Sequence, residues 1–331
     1  MSIEAINIYH DVEYEKELVE RFKARMPKKV FDAHLHLNVS ERGEAIFDDW
    51  RSYMEQDLIG EGKASGALIM GATTVFPSKE LFDEERLFNC TLAEKNKGSA
   101  TALLVDTLDD PAEIEQWIKD HPTIVALKPY KCFSRAENTF EVDMLDFVPE
   151  WMWELADKYG ISVLVHLSHY TDMLKDERNG KQIRYVCQKY PNAKMVLAHC
   201  ALGHHPDKLK SGLKWLEGLD NVWMDCSGVT EALSILYSIQ ALGHKKILYG
   251  SDGYYFGKVL GRIFAMGGNF IGLHDGSEVK IPPDYQYRAL TNACEGLLAL
   301  FAAGDILGLT DEQWDDIFYN NADELYLSKI R

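Results

Sequence analysis

Closely spaced cysteines are absent from this sequence. Its six cysteines stand singly along the chain, and no two of them form a Cys-x-x-Cys pair. This distribution favours reduced, mostly buried thiols in a cytosol over a disulfide framework. We therefore expect a protein without disulfide bonds.

The sequence has fewer basic than acidic residues. The 331 residues include 35 lysines and arginines against 52 aspartates and glutamates, so the formal net charge at pH 7 is −17. An acidic surface repels both nucleic acids and anionic membranes. We expect neither as a partner, although the charge inside a pocket can differ from that of the whole molecule.

Long apolar runs are missing as well. The most apolar stretch, residues 296–309, is interrupted by Asp305 and is too short to span a bilayer. The first residues are polar and acidic, so no signal peptide is visible. These features predict a cytoplasmic protein with a small-molecule substrate, and a homo-oligomer remains open.

One stretch combines a strand pattern with two metal-binding side chains. Residues 29–37 are largely apolar, and His34 and His36 lie two positions apart within them. Residues two apart on a strand point to the same face. Two imidazoles on one wall can bind a single metal ion; the alternative is a pair of partly buried core or rim histidines.

Apolar runs and helical patterns alternate along the rest of the chain. Each predicted strand is nearly continuously apolar, as expected for parallel strands that are covered on both faces. Eight strands separated by helices predict an α/β fold, a (β/α)8 TIM barrel; a doubly wound open sheet is the alternative. The predicted strands are residues 29–37, 67–76, 100–105, 123–130, 161–167, 193–199, 222–226 and 246–251.

Length and pattern place the chain in a single domain, residues 1–331. An N-terminal helical extension is predicted at residues 1–29, the barrel core at 30–260, and extra C-terminal helices at 285–331. Continuous helices are predicted at residues 144–159 and, as an amphipathic example, at 314–327.

Polar side chains that can bind a metal ion follow several of the predicted strands. In a barrel the chemistry lies at the carboxyl ends of the strands. Four of the eleven histidines come at such ends, together with one aspartate and one lysine. Their convergence on one mouth predicts a metal centre. The residues are His34 and His36 on the first strand, Lys128 on the fourth, His166 on the fifth, His199 on the sixth and Asp252 just after the eighth.

Nitrogen ligands with one carboxylate suit Zn²⁺ or another borderline divalent ion, with one or two ions per chain. Neutral imidazoles leave the charge of the ion uncancelled, so a bound water is acidified. Asp252 can bind the metal through one oxygen and take a proton from that water through the other. His199 suits a second-metal ligand or a group that polarises the substrate. The alternative for Asp252 is a helix N-cap before Gly253.

Five short motifs occur in order along residues 30–327. They are residues 31–36 (FDAHLH), 165–166 (VH), 197–200 (LAHC), 249–252 (YGSD) and 320–326 (NNADELY). Together they resemble the amidohydrolase superfamily, and most of all its amidohydrolase family 2 branch. That branch also includes amino-carboxymuconate-semialdehyde and resorcylate decarboxylases.

The resemblance implies a metal-dependent barrel enzyme in which His34, His36, His166 and Asp252 bind the metal. It implies that His199 is catalytic or a second-site ligand. In binuclear members a carboxylated lysine on the fourth strand bridges two metals, and Lys128 could be that position. The alternative, which we favour, is an unmodified lysine that forms an ion pair or contacts an anionic substrate.

Three functions remain open from the sequence. The first is a metal-dependent hydrolase that uses an activated water on a small carboxylate-bearing or cyclic C–N/C–O substrate. The second is a non-oxidative decarboxylase or lyase of the same barrel family, because it needs the same ligands. The third is a catalytically silent binding barrel. A nuclease with the same His-x-His start is disfavoured by the acidic charge.

Loop residues near the predicted mouth have two interpretations. Tyr130, Lys131 and Arg135 follow the fourth strand and could hold a substrate carboxylate, although loop cations are more often solvated. His204 and His205 are predicted to be a loop pair.

Overall fold

A ring of eight parallel strands organises the molecule. The computed structural model describes residues 8–37, 45–71, 78–274 and 287–330. Within these residues, the eight strands lie side by side in the same order as in the chain. They are β1 (Val30–His36), β2 (Ala64–Met70), β3 (Ala100–Val105), β4 (Ile124–Pro129), β5 (Ser162–Val165), β6 (Lys194–Leu197), β7 (Val222–Asp225) and β8 (Ile247–Leu248).

The ring is closed by a backbone hydrogen bond between its first and last members. The N–H of Ala33 on β1 donates to the C=O of Tyr249, directly after β8, at 2.9 Å. The side chain of Asp32 adds a second connection, because it accepts a hydrogen bond from the N–H of Ser251 at 2.8 Å. The predicted TIM barrel is therefore confirmed, and the open doubly wound sheet is excluded.

Two sets of buried side chains stabilise the barrel. Phe31, Leu68 and Leu164 pack together inside it, where Tyr326 from the C-terminal region also contributes. A larger cluster fills the space between the strands and the surrounding helices. Parallel strands buried on both faces require apolar residues at nearly every position, which explains why the strands read as continuous apolar runs.

Helices follow most of the strands. The helix at Pro111–Asp120 begins as its sequence predicts, with the Asp110 side chain accepting from the N–H of Ala112 at 2.9 Å. The α-helical segments are Val12–Arg25, Ala45–Met54, Lys79–Lys95, Pro111–Asp120, Met144–Phe147, Glu150–Tyr159, Glu177–Lys189, Pro206–Gly212, Ala232–Leu242, Gly253–Phe256, Asn292–Leu307, Asp311–Asp315 and Asn321–Leu325.

Two predicted helices are interrupted. The helix predicted at residues 144–159 is divided into Met144–Phe147 and Glu150–Tyr159, because Pro149 has no N–H to donate and restricts the residue before it. The helix predicted at residues 314–327 is divided by a π-helical turn at Asp316–Asn320. The eighth strand is shorter than predicted, with two residues in the sheet.

Some strands lie outside the barrel and were not predicted. An antiparallel hairpin joins Gly261–Met266 to Asn269–His274. It contacts the loop after β7, where the N–H of Ile263 donates to the Thr230 hydroxyl at 3.1 Å. A short parallel pair connects Ile8–His10 with Tyr287–Ala289. The second strand begins three residues earlier than predicted, and its predicted end at residues 72–76 lies outside the described residues.

All six cysteines are free thiols, as their spacing predicts. Across the described ranges, no helix has both the length and the apolar character needed to cross a membrane.

Candidate metal centre

The two histidines of β1 point into the carboxyl-end mouth of the barrel. The Nε2 atoms of His34 and His36 lie 3.0 Å apart. Both face Asp252, whose Oδ1 atom is 3.7 Å from Nε2 of His34 and 3.8 Å from Nε2 of His36. His34 and His36 point the same way because side chains alternate along a strand. The closure of the barrel places Asp252 beside them. Three potential ligand atoms therefore face one another.

The outer nitrogens of the same two rings are already held. Nδ1 of His34 lies 3.0 Å from Oδ2 of Asp225, and Nδ1 of His36 lies 3.0 Å from the carbonyl oxygen of Gly71. Because these oxygens accept hydrogen bonds, each Nδ1 carries the hydrogen and each Nε2 keeps a lone pair. Burial lowers the pKa of both imidazoles, which favours the neutral form that a metal ion requires.

Glycines allow close approaches beside Asp252 and His36. Asp252 has a left-handed backbone, with φ 63°. A Cβ atom on Gly228 would lie 2.9 Å from Oδ2 of Asp252, and one on Gly253 would lie 2.8 Å from the backbone nitrogen of His36. Both glycines also have positive φ angles, a conformation that other residues rarely adopt. These close approaches explain why glycine occupies both positions.

His166 and His199 extend the group across β5 and β6. The His199 ring centroid is 5.0 Å from that of His34 and 5.1 Å from that of His166. Nδ1 of His199 lies 2.8 Å from the Ser227 carbonyl oxygen, and Nδ1 of His166 lies 3.1 Å from that of Leu167. The hydrogen bond at Nδ1 leaves Nε2 of His199 available, whereas the Tyr170 hydroxyl lies 3.4 Å from Nε2 of His166. The structure brings all four predicted histidines together with Asp252.

His199 reaches this position through an unusual turn. It has φ 55° and ψ 43°, and Cys200 and Ala201 share this left-handed conformation. The N–H of His199 donates to Oδ1 of Asp225 at 3.1 Å. The turn ends the sixth strand two residues before His199, whereas the sequence pattern predicted a strand that included it. The strain is thus offset in part by a hydrogen bond to a buried carboxylate.

Asp225, at the end of β7, was not among the predicted site residues. Its side chain contacts His34, and it accepts hydrogen bonds from the backbone nitrogens of His199 and Ser227, each at 3.1 Å. Burial raises the pKa of this carboxyl group, but the interactions with His34, His199 and Ser227 outweigh that effect and hold the pKa below its ordinary value. Polar side chains at the carboxyl ends of the predicted strands were the signal that identified the other candidate ligands. Asp225 lies at such an end, so the same criterion could have identified it.

Asp32 connects β1 to the loop that carries Asp252. Its Oδ1 atom accepts hydrogen bonds from the N–H groups of Ser251 and His34, and its Oδ2 atom accepts from the indole of Trp50 at 3.1 Å. Burial raises the pKa of Asp32 to about 6, although these hydrogen bonds oppose the shift. Asp32 therefore positions the candidate ligands on both sides of the barrel seam.

The family is established by the sequence itself. The sequence profile of the amidohydrolase family matches residues 31–327 of the chain, which include the four strand-end motifs and the C-terminal one. The chain belongs to the amidohydrolase family. This confirms the resemblance that those motifs indicate. A comparison with curated proteins gives no match.

Solved amidohydrolase-like structures share the fold of this amidohydrolase. An amidohydrolase from Burkholderia multivorans is 10% identical and has a TM-score of 0.56, with 90% of this chain and 99% of that chain covered. The 5-carboxyvanillate decarboxylase of Sphingomonas paucimobilis is 11% identical with a TM-score of 0.54, covering 91% and 99%. A 2,6-dihydroxybenzoate decarboxylase bound to 2,6-dihydroxybenzoate is 11% identical with a TM-score of 0.53, covering 92% and 99%.

Lys128 is a buried charged group of this amidohydrolase beside the site. Its side chain is fully buried, and its Nζ atom has no hydrogen-bond partner among the described residues. Burial lowers the pKa of Lys128 to about 8, while the carboxylates of Asp225 and Asp252 oppose the shift. The Nζ atom lies 4.8 Å from the centroid of the Tyr130 ring. An unpaired amine in this position fits a site that receives a further negatively charged group.

The donor atoms fit a divalent metal ion. Free imidazole nitrogens and a carboxylate oxygen are the ligand types that such ions take in proteins. The outer nitrogens of His34 and His36 are oriented by hydrogen bonds in the way that metal-binding histidines require. A second group, formed by His34, His199 and Asp225, also has potential ligand atoms within 4.8 Å of one another.

The loop residues have separate environments. Arg135 is paired with Asp106 at 2.7 Å on the surface. The hydroxyl of Tyr130 lies 3.4 Å from Nδ1 of His36 and from the Gly71 carbonyl oxygen. His204 is buried against His199, and burial lowers its pKa to about 3. His205 contacts the Gly267 carbonyl oxygen at 3.0 Å.

Proposed function

We propose that this amidohydrolase is a metal-dependent hydrolase of a small carboxylate-bearing substrate or a cyclic substrate with a C–N or C–O bond to be cleaved. The observation that carries the proposal is the convergence of Nε2 of His34, Nε2 of His36 and Oδ1 of Asp252. A bound divalent ion supplies positive charge, which acidifies a water molecule and polarises a substrate oxygen.

The proposed ligands are His34, His36, His166 and Asp252. His199 is either a ligand of a second ion or a catalytic group. The Ser227 carbonyl oxygen holds its Nδ1 atom at 2.8 Å, so the ring can use only its Nε2 atom toward an ion or a substrate. That constraint suits both roles, because each requires a fixed ring orientation.

Asp252 is the proposed proton acceptor. Its two oxygens have different surroundings, because Oδ1 faces His34 and His36 while Oδ2 lies beside the open position at Gly228. One oxygen can bind the ion while the other accepts a proton from water and returns it to the leaving group. The left-handed backbone at Asp252 and the missing Cβ at Gly228 hold this arrangement.

We propose Zn²⁺ or another divalent ion, with one or two ions per chain. The chemical state of Lys128 distinguishes one ion from two, because holding a second ion through this residue would require a carboxylated Nζ atom. We favour the unmodified amine, whose positive charge suits an anionic substrate or a developing negative charge. Mass spectrometry of the intact, undenatured protein tests this directly, since carboxylation adds the mass of one CO₂.

A non-oxidative decarboxylase is the second candidate. The names of two of the similar structures reported above are those of decarboxylases and support it, and the same ligands serve both reactions. In that case Asp252 or His199 delivers a proton to the carbon that loses CO₂. The unpaired cysteines support a cytoplasmic location for either enzyme.

The test is a metal analysis followed by a substrate panel. Protein from metal-supplemented growth is assayed with amides, lactones, and aromatic or enol carboxylates, and both CO₂ and hydrolysis products are measured. Hydrolysis without CO₂ supports the hydrolase, whereas CO₂ release supports the decarboxylase. A His34→Ala, His36→Ala variant purified in parallel controls for contaminating enzymes. Less than about half an ion per chain contradicts both candidates and favours a silent barrel.

A further inference from the structure

We propose that Lys131 selects substrates that carry a negatively charged group in addition to the group that meets the metal centre. This inference rests on the proposed function, since it concerns the substrate of the same site. From the sequence, Lys131 could be either a substrate contact or a solvated surface cation. The inference assigns it a role in substrate specificity.

The position of Lys131 places its amine one aromatic ring away from His166. It begins the short 3₁₀ helix Lys131–Ser134, directly after β4 at the carboxyl end of the barrel. Its Nζ atom lies 3.6 Å from the ring centroid of Tyr170 and 4.0 Å from that of Phe140. The Tyr170 hydroxyl lies 3.4 Å from both ring nitrogens of His166. Lys131 is therefore separated from a candidate metal ligand by one aromatic ring.

Two other cations, Arg178 and Lys208, have carboxylate partners, whereas Lys131 has none among the described residues. Arg178 pairs with Asp176 at 2.7 Å, and Lys208 lies 3.4 Å from Asp172. Lys131 has no carboxylate within ion-pair distance in the part of the chain that the structure describes, and its amine contacts the faces of two rings instead. Aromatic faces attract a cation but leave its hydrogen-bond donors unused. The amine can therefore accept an anionic partner without breaking an existing ion pair.

Partial burial strengthens this preference. The Lys131 side chain is half-buried, and burial lowers its pKa to about 8, so most of the amine is still charged at neutral pH. A charge that has already lost part of its water gains more from an anion than a fully solvated one does.

A continuous wall of rings connects Lys131 to the metal centre. The Phe270 ring centroid, from the hairpin outside the barrel, is 6.0 Å from that of Tyr170 and 5.0 Å from that of His204. The His204 centroid in turn is 6.1 Å from that of His199. These faces can support the apolar body of a substrate. The anionic end of such a substrate would then lie at Lys131, and its reacting end would lie at the candidate metal-binding histidines.

The test compares the binding of paired compounds that differ by one charge. Glutarate, adipate, benzene-1,3-dicarboxylate and benzene-1,4-dicarboxylate are each titrated against their monomethyl esters by isothermal calorimetry on metal-loaded protein. We expect at least one diacid to bind the wild type about tenfold more tightly than its ester. This preference corresponds to about 1.4 kcal/mol. Lys131→Met should abolish the preference while leaving the ester affinity unchanged, and Lys131→Arg should retain it.

Lys181→Met serves as the matched control, because Lys181 is an exposed lysine that pairs with Glu177. It should leave every affinity unchanged. If no pair separates the wild type from Lys131→Met, the inference is overturned and Lys131 only packs against its two rings. Metal content is measured on the same samples. A deficit of metal contradicts the proposed function, whereas a loaded protein that lacks the diacid preference contradicts this inference alone.

Discussion

The carboxylate of Asp225 lies 3.0 Å from Nδ1 of His34, and both side chains are fully buried. The pair connects β7 to β1 across the barrel mouth. Because the carboxylate accepts the hydrogen on Nδ1, it leaves Nε2 of His34 free and fixes the ring toward Asp252. Carboxylates that orient a metal-binding histidine in this way also raise its basicity.

Replacing Asp225 with asparagine should weaken metal binding about 10–100-fold. The amide keeps the shape of the side chain but loses the charge that orients His34. The measurement is a competition titration with a chromophoric chelator, with circular dichroism to show that the variant is folded. Asp220→Asn, at an exposed position, is the control. An unchanged metal affinity would mean that Asp225 serves the fold and not the site.

Gly228→Ala should reduce both stability and activity. The backbone at Gly228 has φ +63°, and the added Cβ would lie 2.9 Å from Oδ2 of Asp252. A left-handed backbone costs a non-glycine residue about 1–2 kcal/mol. Gly218→Ala is a matched control, because Gly218 has φ +74° and no heavy atom within 4 Å of the added Cβ.

Both glycine variants should lose stability in urea denaturation because both incur the backbone cost, and Gly228→Ala should lose at least as much because its Cβ also crowds Asp252. Only Gly228→Ala should lose metal affinity or turnover, because only there is a ligand displaced. Equal activity in the two variants would show that the space beside Asp252 has no functional role.

Asp252→Asn should retain the metal but lose turnover by roughly a thousandfold or more, which corresponds to about 4 kcal/mol of barrier. An amide oxygen can still contact the ion, whereas it cannot accept a proton. The steady-state rate is measured with whichever substrate the panel identifies, at matched metal content. Rates like those of the wild type would remove Asp252 from the proton-transfer step.

The preference for diacids should decrease at alkaline pH. The Lys131 pKa of about 8 means that its amine is charged below that pH and neutral above it. The amine contacts the rings of Phe140 and Tyr170, and it interacts electrostatically with His166 and Cys132. The diacid-to-ester affinity ratio should therefore fall between pH 7 and pH 9 in the wild type. The guanidinium of Lys131→Arg stays charged over this range, so a parallel fall in that variant would assign the effect to another group.

The fold followed closely from local sequence pattern. Nearly continuous apolar runs predicted the barrel strands because both faces of a parallel sheet are buried. The cap at Asp110 and Pro111 was predicted because its hydrogen bond is local. The helices at residues 144–159 and 314–327 were predicted, but their interruptions were missed. The helical sequence pattern continues through Pro149 and through the π turn at Asp316–Asn320, although the regular α-helical backbone does not. The hairpin at Gly261–Met266 and Asn269–His274 gave no comparable signal.

The sequence alone determined which side chains would share a face. His34 and His36 point together because the side-chain period of a strand is two, and this holds whatever the strand packs against. Only the tertiary structure decided which distant residues would meet them. Asp225 contacts His34 across 191 positions of the chain, and Phe270 reaches Tyr170 from a hairpin outside the barrel. Such contacts depend on how the barrel closes and where its loops return, and local periodicity contains no information about either.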